Sequence, residues 1–226
     1  MFHDLLDLLY PRICNSCETS LLKHEKVLCT QCLHALPTAF SHLEKDNSVE
    51  RIFYGRIPLE NATSLLLFEK KGMVQKIIHN LKYKGHEEIG TFLGEWLGTE
   101  LRSLQNFKQV TAVVPVPLHK KKLRQRGYNQ VEKFGRAIAE KLEITYLNDV
   151  LLKRSASKTQ TLKKRLARWG DLEETFVLEQ PEKLQDQHVL LVDDLVTTGA
   201  TLEACAHQLM QVKGVKISIA TMAYTH

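Results

Sequence analysis

The stretch VLLVDDLVTTGAT, residues 189–201, constrains the fold of this chain more than any other. Val189, Leu190, Leu191 and Val192 form a short apolar run without alternation, the pattern of a strand buried on both faces of a parallel sheet. Asp193 and Asp194 follow at once, and an unpaired carboxylate is costly to bury, so both are expected at the C-terminal mouth of that strand. A small-residue turn, Thr197-Thr198-Gly199-Ala200-Thr201, leads into TLEACAHQLMQV, where Leu202, Cys205, Leu209 and Val212 recur at helical spacing. Strand, carboxylate pair, small-residue loop and helix start come in that order. In open α/β sheets ligands bind there, and free N–H groups at a helix start can hold a phosphate.

Taken alone, an Asp pair at a strand end is common turn chemistry, and Thr201 can simply cap a helix. The whole thirteen-residue pattern is more specific. It resembles the signature of the type I phosphoribosyltransferases, which bind 5-phosphoribosyl 1-pyrophosphate (PRPP). The resemblance implies that Asp193 and Asp194 hold the ribose 2′- and 3′-hydroxyls, as the catalytic carboxylates. Thr197, Thr198, Gly199, Ala200 and Thr201 would cradle the 5′-phosphate. Carboxylates accept from vicinal hydroxyls and backbone amides donate to phosphate, so the chemistry agrees.

Cysteine spacing defines a second feature. Cys14 and Cys17 form one CxxC, Cys29 and Cys32 another, with eleven residues between. Four thiolates in two such pairs suit tetrahedral Zn²⁺ and leave no open position, so the expected role is structural. His3, His24 and His34 are spare donors nearby. Cys205 falls on the apolar face of the last helix and reads as core. No apolar run approaches the ~20 residues of a membrane span, and the amino terminus lacks the features of a signal peptide. The expected location is therefore cytoplasmic, where disulfides are rare.

Strands alternating with helices predict an α/β parallel-sheet core flanked by helices. Phe2, Leu5, Leu6 and Leu9 fit one face of an N-terminal helix. Helices are expected over 72–85, 88–104 and 129–142. Strands are expected at Leu65–Phe68, at 110–117 up to Pro115, at Thr145–Leu152 and at 215–224, with some strand character around Ile52–Tyr54. The domain reading is a zinc-binding head over 1–36, a linker over 37–61, and a phosphoribosyltransferase-like domain over 62–226. Removing the metal is expected to unfold the head without altering the phosphate loop.

Charge is uneven. Residues 115–168 hold 15 Lys/Arg against 4 Asp/Glu, a balance of +11 in a chain whose net charge is +5. So basic a segment is an anion site, a nucleic-acid track, or both. At its start, VVPVPLHKKKLRQRGYNQ runs from a strand through His119, Lys120, Arg124 and Arg126 to a helix. This is either a basic surface loop with Asn129 as helix cap, or a second anion site suited to pyrophosphate.

The PVPLH…RGYNQ run, the double CxxC head and the VDDLVTTGAT tail together resemble the ComF family over essentially the whole chain. The resemblance implies a type I phosphoribosyltransferase fold with an N-terminal zinc module, Mg²⁺ bound with PRPP, and a role in uptake of single-stranded transforming DNA. Helicase and DNA-processing factors of the competence machinery are the implied protein partners. Gln160, Arg168 and Phe176 fall in register with the family's pattern, whereas Asp171 stands where Asn is usual. That region corresponds to a lid over PRPP. Trp169 is either a lid or stacking residue, or an anchor of the loop to the core.

Two readings follow. In the first, the chain is a Mg²⁺-dependent enzyme transferring phosphoribose to a nitrogen nucleophile, including the plain metabolic case of nucleobase salvage. In the second, it is a PRPP-fold binding module for single-stranded DNA. Lys121, Lys122, Lys163, Lys164, Arg165 and Arg168 would then track phosphates, with Tyr128 and Trp169 available for stacking.

Overall fold

A computed structural model describes residues 11–39, 41–154 and 176–225. The expected N-terminal helix lies outside the described residues. So do Gln160, Lys163, Lys164, Arg165, Arg168, Trp169 and Asp171. Seven strands are described: β1 (Asn61–Leu67), β2 (Ala112–Pro115), β3 (Thr145–Tyr146), β4 (Leu151–Lys153), β5 (Phe176–Leu178), β6 (His188–Val196) and β7 (Lys216–Tyr224). The helices are α1 (Thr30–His34), α2 (Ser48–Arg51), α3 (Met73–Tyr83), α4 (Glu88–Arg102), α5 (Lys120–Arg126), α6 (Glu132–Leu142) and α7 (Ala200–Leu209).

Five strands form one parallel sheet in the order β1-β7-β6-β2-β3. The apolar run Val189–Val192 lies in β6 with β7 and β2 on its two sides, and all four side chains are buried. Leu190 and Val192 pack with residues of α3, α4 and α6, and Leu191 packs on the other side with Cys205 and Leu209 of α7. Cys205 is core, as its helical spacing predicts.

Helices α4 and α6 approach closely because Gly90, Gly94 and Gly98 lie on one face of α4. A Cβ built on Gly94 would stand 2.4 Å from the Phe134 carbonyl oxygen, so the contact requires glycine.

Several sequence expectations are corrected. The carboxylate pair does not follow β6 but lies inside it, with Asp193 and Asp194 only 9% and 5% exposed. Thr145–Leu152 is not one strand: β3 joins the main sheet, and β4 pairs antiparallel with β5. The Ile52–Tyr54 region is not strand-like but follows α2, which Asn47 and Glu50 close with reciprocal side-chain to backbone hydrogen bonds. Val49, Phe53 and Ile57 of this segment are buried among residues of β6 and α7. The basic run after β2 is helix α5, ended by Gly127 at φ 83°.

Candidate PRPP site and metal centre

Two carboxylates fit inside a sheet because neither is left as a bare charge. Successive side chains of a strand point to opposite faces, so the pair divides between two environments. Asp194 faces the α3 side, where its Oδ1 accepts from Lys82 Nζ at 2.7 Å and its Oδ2 from Gln130 Nε2 at 2.6 Å. Asp193 faces Cys205 and Lys153, and its Oδ1 accepts from the Asp194 N–H at 2.8 Å. Burial, together with the adjacent Asp194, pushes the Asp193 carboxyl up to about 8. It is therefore mainly neutral at pH 7 in the empty protein, which removes most of the cost of burying it. Burial likewise lowers the Lys153 ammonium, opposed by Cys205 and Asp193.

The small-residue turn continues directly from this pair. Thr197 and Thr198 are exposed, Gly199 is buried at φ 75°, and Ala200 begins α7. Asp193 and residues 195–202 line one small cavity of about 60 Å³. A buttress stands behind the turn. Arg56 donates to the Thr198 carbonyl at 2.5 Å and through Nε to Glu203 Oε2 at 3.1 Å, so α2 and its following turn clamp the loop to α7. Phe53 and Ile52 close the gap so tightly that a Cβ on Gly199 would lie 2.7 Å from Phe53 Cε1 and 2.8 Å from Ile52 Cγ2.

The basic constellation is divided by the fold. Arg126 Nη1 donates to Gln130 Oε1 at 2.8 Å, and Gln130 donates onward to Asp194, so this arginine is wired to the carboxylate pair. Lys122 acts on Lys153 electrostatically, which brings it to the Asp193 side. His119 caps α5, its Nδ1 accepting from the Lys121 N–H at 3.1 Å. Lys120, Lys121 and Arg124 lie exposed on the same short helix. Tyr128 is half-buried and donates its hydroxyl to the Leu81 carbonyl. Asn129 accepts from the Val131 N–H at 3.2 Å and donates to the Val116 carbonyl at 3.1 Å, tying the turn to the end of β2.

Sequence reasoning missed Lys82, Gln130, Lys153 and Arg56. Each is remote in sequence from the residue it serves, and only RGYNQ, which contains Gln130, carried a motif-level signal.

The four cysteines converge. Their sulfurs all lie within 4.8 Å of one another, with Cys17 and Cys29 at 3.7 Å. Tetrahedral Zn²⁺ with Zn–S near 2.3 Å requires sulfur separations of about 3.8 Å, so the residues fit this ion. Cys14 Sγ accepts from the Ser16 and Cys29 N–H groups at 3.5 and 3.3 Å, and Cys29 Sγ from Cys32 N–H at 3.5 Å. Such N–H···S contacts orient thiolates for a metal. Hydrogen bonds from Thr19 bring the exposed Cys17 thiol down to about 6, and burial pushes Cys32 up to about 12. Among the described residues no His joins the cluster.

A parallel sheet, a carboxylate pair at its C-terminal side and a threonine-glycine turn into a helix define a phosphoribosyltransferase-type domain. The sequence matches the phosphoribosyl transferase domain over residues 132–226. DNA utilization protein YhgH of Escherichia coli K12 is 27% identical over 202 residues, covering 88% of this chain and 84% of its own. Competence protein ComFC of Bacillus subtilis is 28% identical over 217 residues, 93% of this chain and 82% of its own. Competence protein F of Haemophilus influenzae is 27% identical over 140 residues, 60% of this chain and 61% of its own. Among solved structures, adenine phosphoribosyltransferase of Leishmania tarentolae aligns over 73% of this chain and 92% of its own, at 13% identity and a TM-score of 0.40. Over most of its length the chain is similar to proteins of the ComF family. No helix among the described residues is long and apolar enough to cross a membrane.

Proposed function

We propose that this protein binds PRPP with Mg²⁺ through Asp193, Asp194 and the 197–201 turn, and that it serves the handling of single-stranded DNA during uptake. The observation that carries the reading is one cavity bounded by Asp193 and by the turn into α7. A ribose with a 5′-phosphate presents vicinal hydroxyls for the carboxylate and a dianion for the turn.

In this reading the ribose hydroxyls donate to the carboxylates, and N–H groups at the start of α7 hold the 5′-phosphate. Arg126, with Lys120 and Arg124 on the same segment, supplies positive charge for the pyrophosphate, the neighbouring His119 offers a polar ring, and Lys153 adds a cation beside Asp193. Mg²⁺ suits the oxygen-only donor set of carboxylates, hydroxyls and phosphates, and when bound it neutralises pyrophosphate charge. Lys82 and Gln130 hold Asp194 in place before the ligand arrives, so less ordering is required on binding. Transfer of phosphoribose to a nitrogen nucleophile is the chemistry such a site supports, through preorganised charges around the departing pyrophosphate.

Thermal unfolding tests the reading. PRPP with Mg²⁺ should raise the melting temperature of the wild type but not of Asp193→Asn/Asp194→Asn. Single-stranded DNA binding should instead persist in the double variant and weaken steeply with salt. A PRPP-induced shift that survives in the double variant contradicts the assignment.

A further inference from the structure

The exposed face of α3 carries two aromatic side chains, His79 and Tyr83, that neither the carboxylate pair nor the metal cluster uses. Tyr83 is 61% exposed, unusual for so large a ring. Its neighbour one turn earlier is the exposed His79, with ring centroids 5.0 Å apart and planes tilted by 45°. The Arg126 guanidinium carbon also lies 4.9 Å from the Tyr83 ring centroid, and Nη2 donates to the hydroxyl at 3.3 Å. His79, Tyr83 and Arg126 thus form a continuous run of flat, polarisable groups. Beside it opens a cavity of about 160 Å³, lined by Lys82, Tyr83, Gly85, Gln125, Arg126 and Tyr128.

We propose that His79, Tyr83 and Arg126 form a stacking platform for the bases of single-stranded nucleic acid, next to the PRPP site. This rests on the nucleic-acid part of the function proposed above. Every base has a π-face, so stacking tolerates any sequence, and nearby cations track the backbone. The exposed Lys84 follows directly on α3, and the stretch 69–88 carries five lysines against three glutamates, so its cations exceed its acids. Arginine against a tyrosine ring keeps its own outer face available to a further planar group. Tyr128 is less suited to the task, because its hydroxyl is held by the Leu81 carbonyl and its ring is half-buried. Position adds to the argument: Lys82, which holds Asp194, immediately precedes Tyr83. A strand stacked on the platform therefore passes beside the carboxylate pair.

The same chemistry, a base with a phosphate, is offered by a free nucleotide, and the test separates the two sources. Fluorescence anisotropy of a labelled thymidine oligonucleotide would be followed with the full, zinc-loaded chain. Tyr83→Ala should weaken binding about tenfold, and Tyr83→Phe, which keeps the ring, should stay within about twofold of wild type. His79→Ala should weaken binding several-fold and stands in if Tyr83→Ala fails to fold. Wild-type affinity in the Ala variants, or no binding by the wild type, overturns the proposal. So does thymidine monophosphate competing as well as the oligonucleotide at equal nucleotide concentration. PRPP titration into the wild type is read separately. PRPP binding with oligonucleotide affinity indifferent to His79 and Tyr83 refutes the platform alone, and platform-dependent oligonucleotide binding without PRPP binding refutes the PRPP assignment alone.

Discussion

Lys82 Nζ lies 2.7 Å from Asp194 Oδ1, with only 20% and 8% of the two side chains exposed. The lysine comes from α3, which follows β1 at the edge of the sheet, and the aspartate from β6, two strands away in the sheet order. Replacing Lys82 by Met leaves a buried carboxylate without its cation, next to a second carboxyl. Removing one partner of a buried pair typically costs about 3 kcal/mol or more. Urea denaturation should show that loss, and Asp194→Asn in the Lys82→Met background should recover part of it.

Asp193 makes stability depend on pH. Its folded value is raised to about 8 from an ordinary value of 3.8, so the folded state holds this proton more tightly than the unfolded chain. The contribution is fully present below the ordinary carboxylate range and is lost as pH rises toward 8. Asp193→Asn removes this dependence. The empty variant should melt at least about 2 °C above wild type at pH 8, with the gap narrowing toward pH 5.

The same proton affects the ligand. A neutral Asp193 accepts more weakly from ribose hydroxyls than a carboxylate does, and attracts no cation. Affinity for Mg²⁺ and PRPP should therefore rise as pH increases toward 8. Calorimetry at pH 7 in two buffers of different ionisation enthalpy should register proton release on binding.

Gly199 meets two requirements at once, a left-handed φ of 75° and space for Phe53 and Ile52. Gly199→Ala should destabilise the chain by about 2 kcal/mol through strain and overpacking. It should also abolish the PRPP-dependent rise in melting temperature. A variant that folds and binds normally would show that the turn is looser than its packing implies.

Metal removal should be felt beyond the head. Cys14, Val27, Leu28, Cys32 and Leu36 share one apolar cluster with Ile77, Leu81 and Leu93, and the buried Asn80 on α3 donates to the Asn15 carbonyl at 3.0 Å. Chelation or Cys14→Ser should lower the melting temperature in one transition, with one zinc per chain lost by elemental analysis. The 197–201 turn is clamped by residues 52–56 and not by the head, so under the proposed function PRPP should still stabilise what remains folded. Two separate melting transitions would contradict the shared core.

The sequence and the structure agree where a residue's role depends on its neighbours in the chain. The apolar run 189–192, the turn into α7 and the CxxC pairs are local patterns, and each could be read directly. What escaped was chosen by contacts across the fold. Asp193 and Asp194 look like loop residues until Lys82 and Gln130 are seen to satisfy one, and protonation the other. The segment 37–61 resembles a connector because it mixes charges, Pro and Gly, yet Val49, Phe53 and Ile57 are all buried. Tyr83 sits in a helix whose inward face is marked by Val74, Ile77, Ile78 and Leu81. Nothing in that pattern tells that the ring beyond it meets Arg126.

The most direct measurement is a calorimetric titration of PRPP, with and without Mg²⁺, into the wild type and into Asp193→Asn/Asp194→Asn. The account predicts one Mg²⁺-dependent site in the wild type and none in a double variant that remains folded. A folded wild type that takes up no PRPP, or a double variant that binds it equally well, would contradict it.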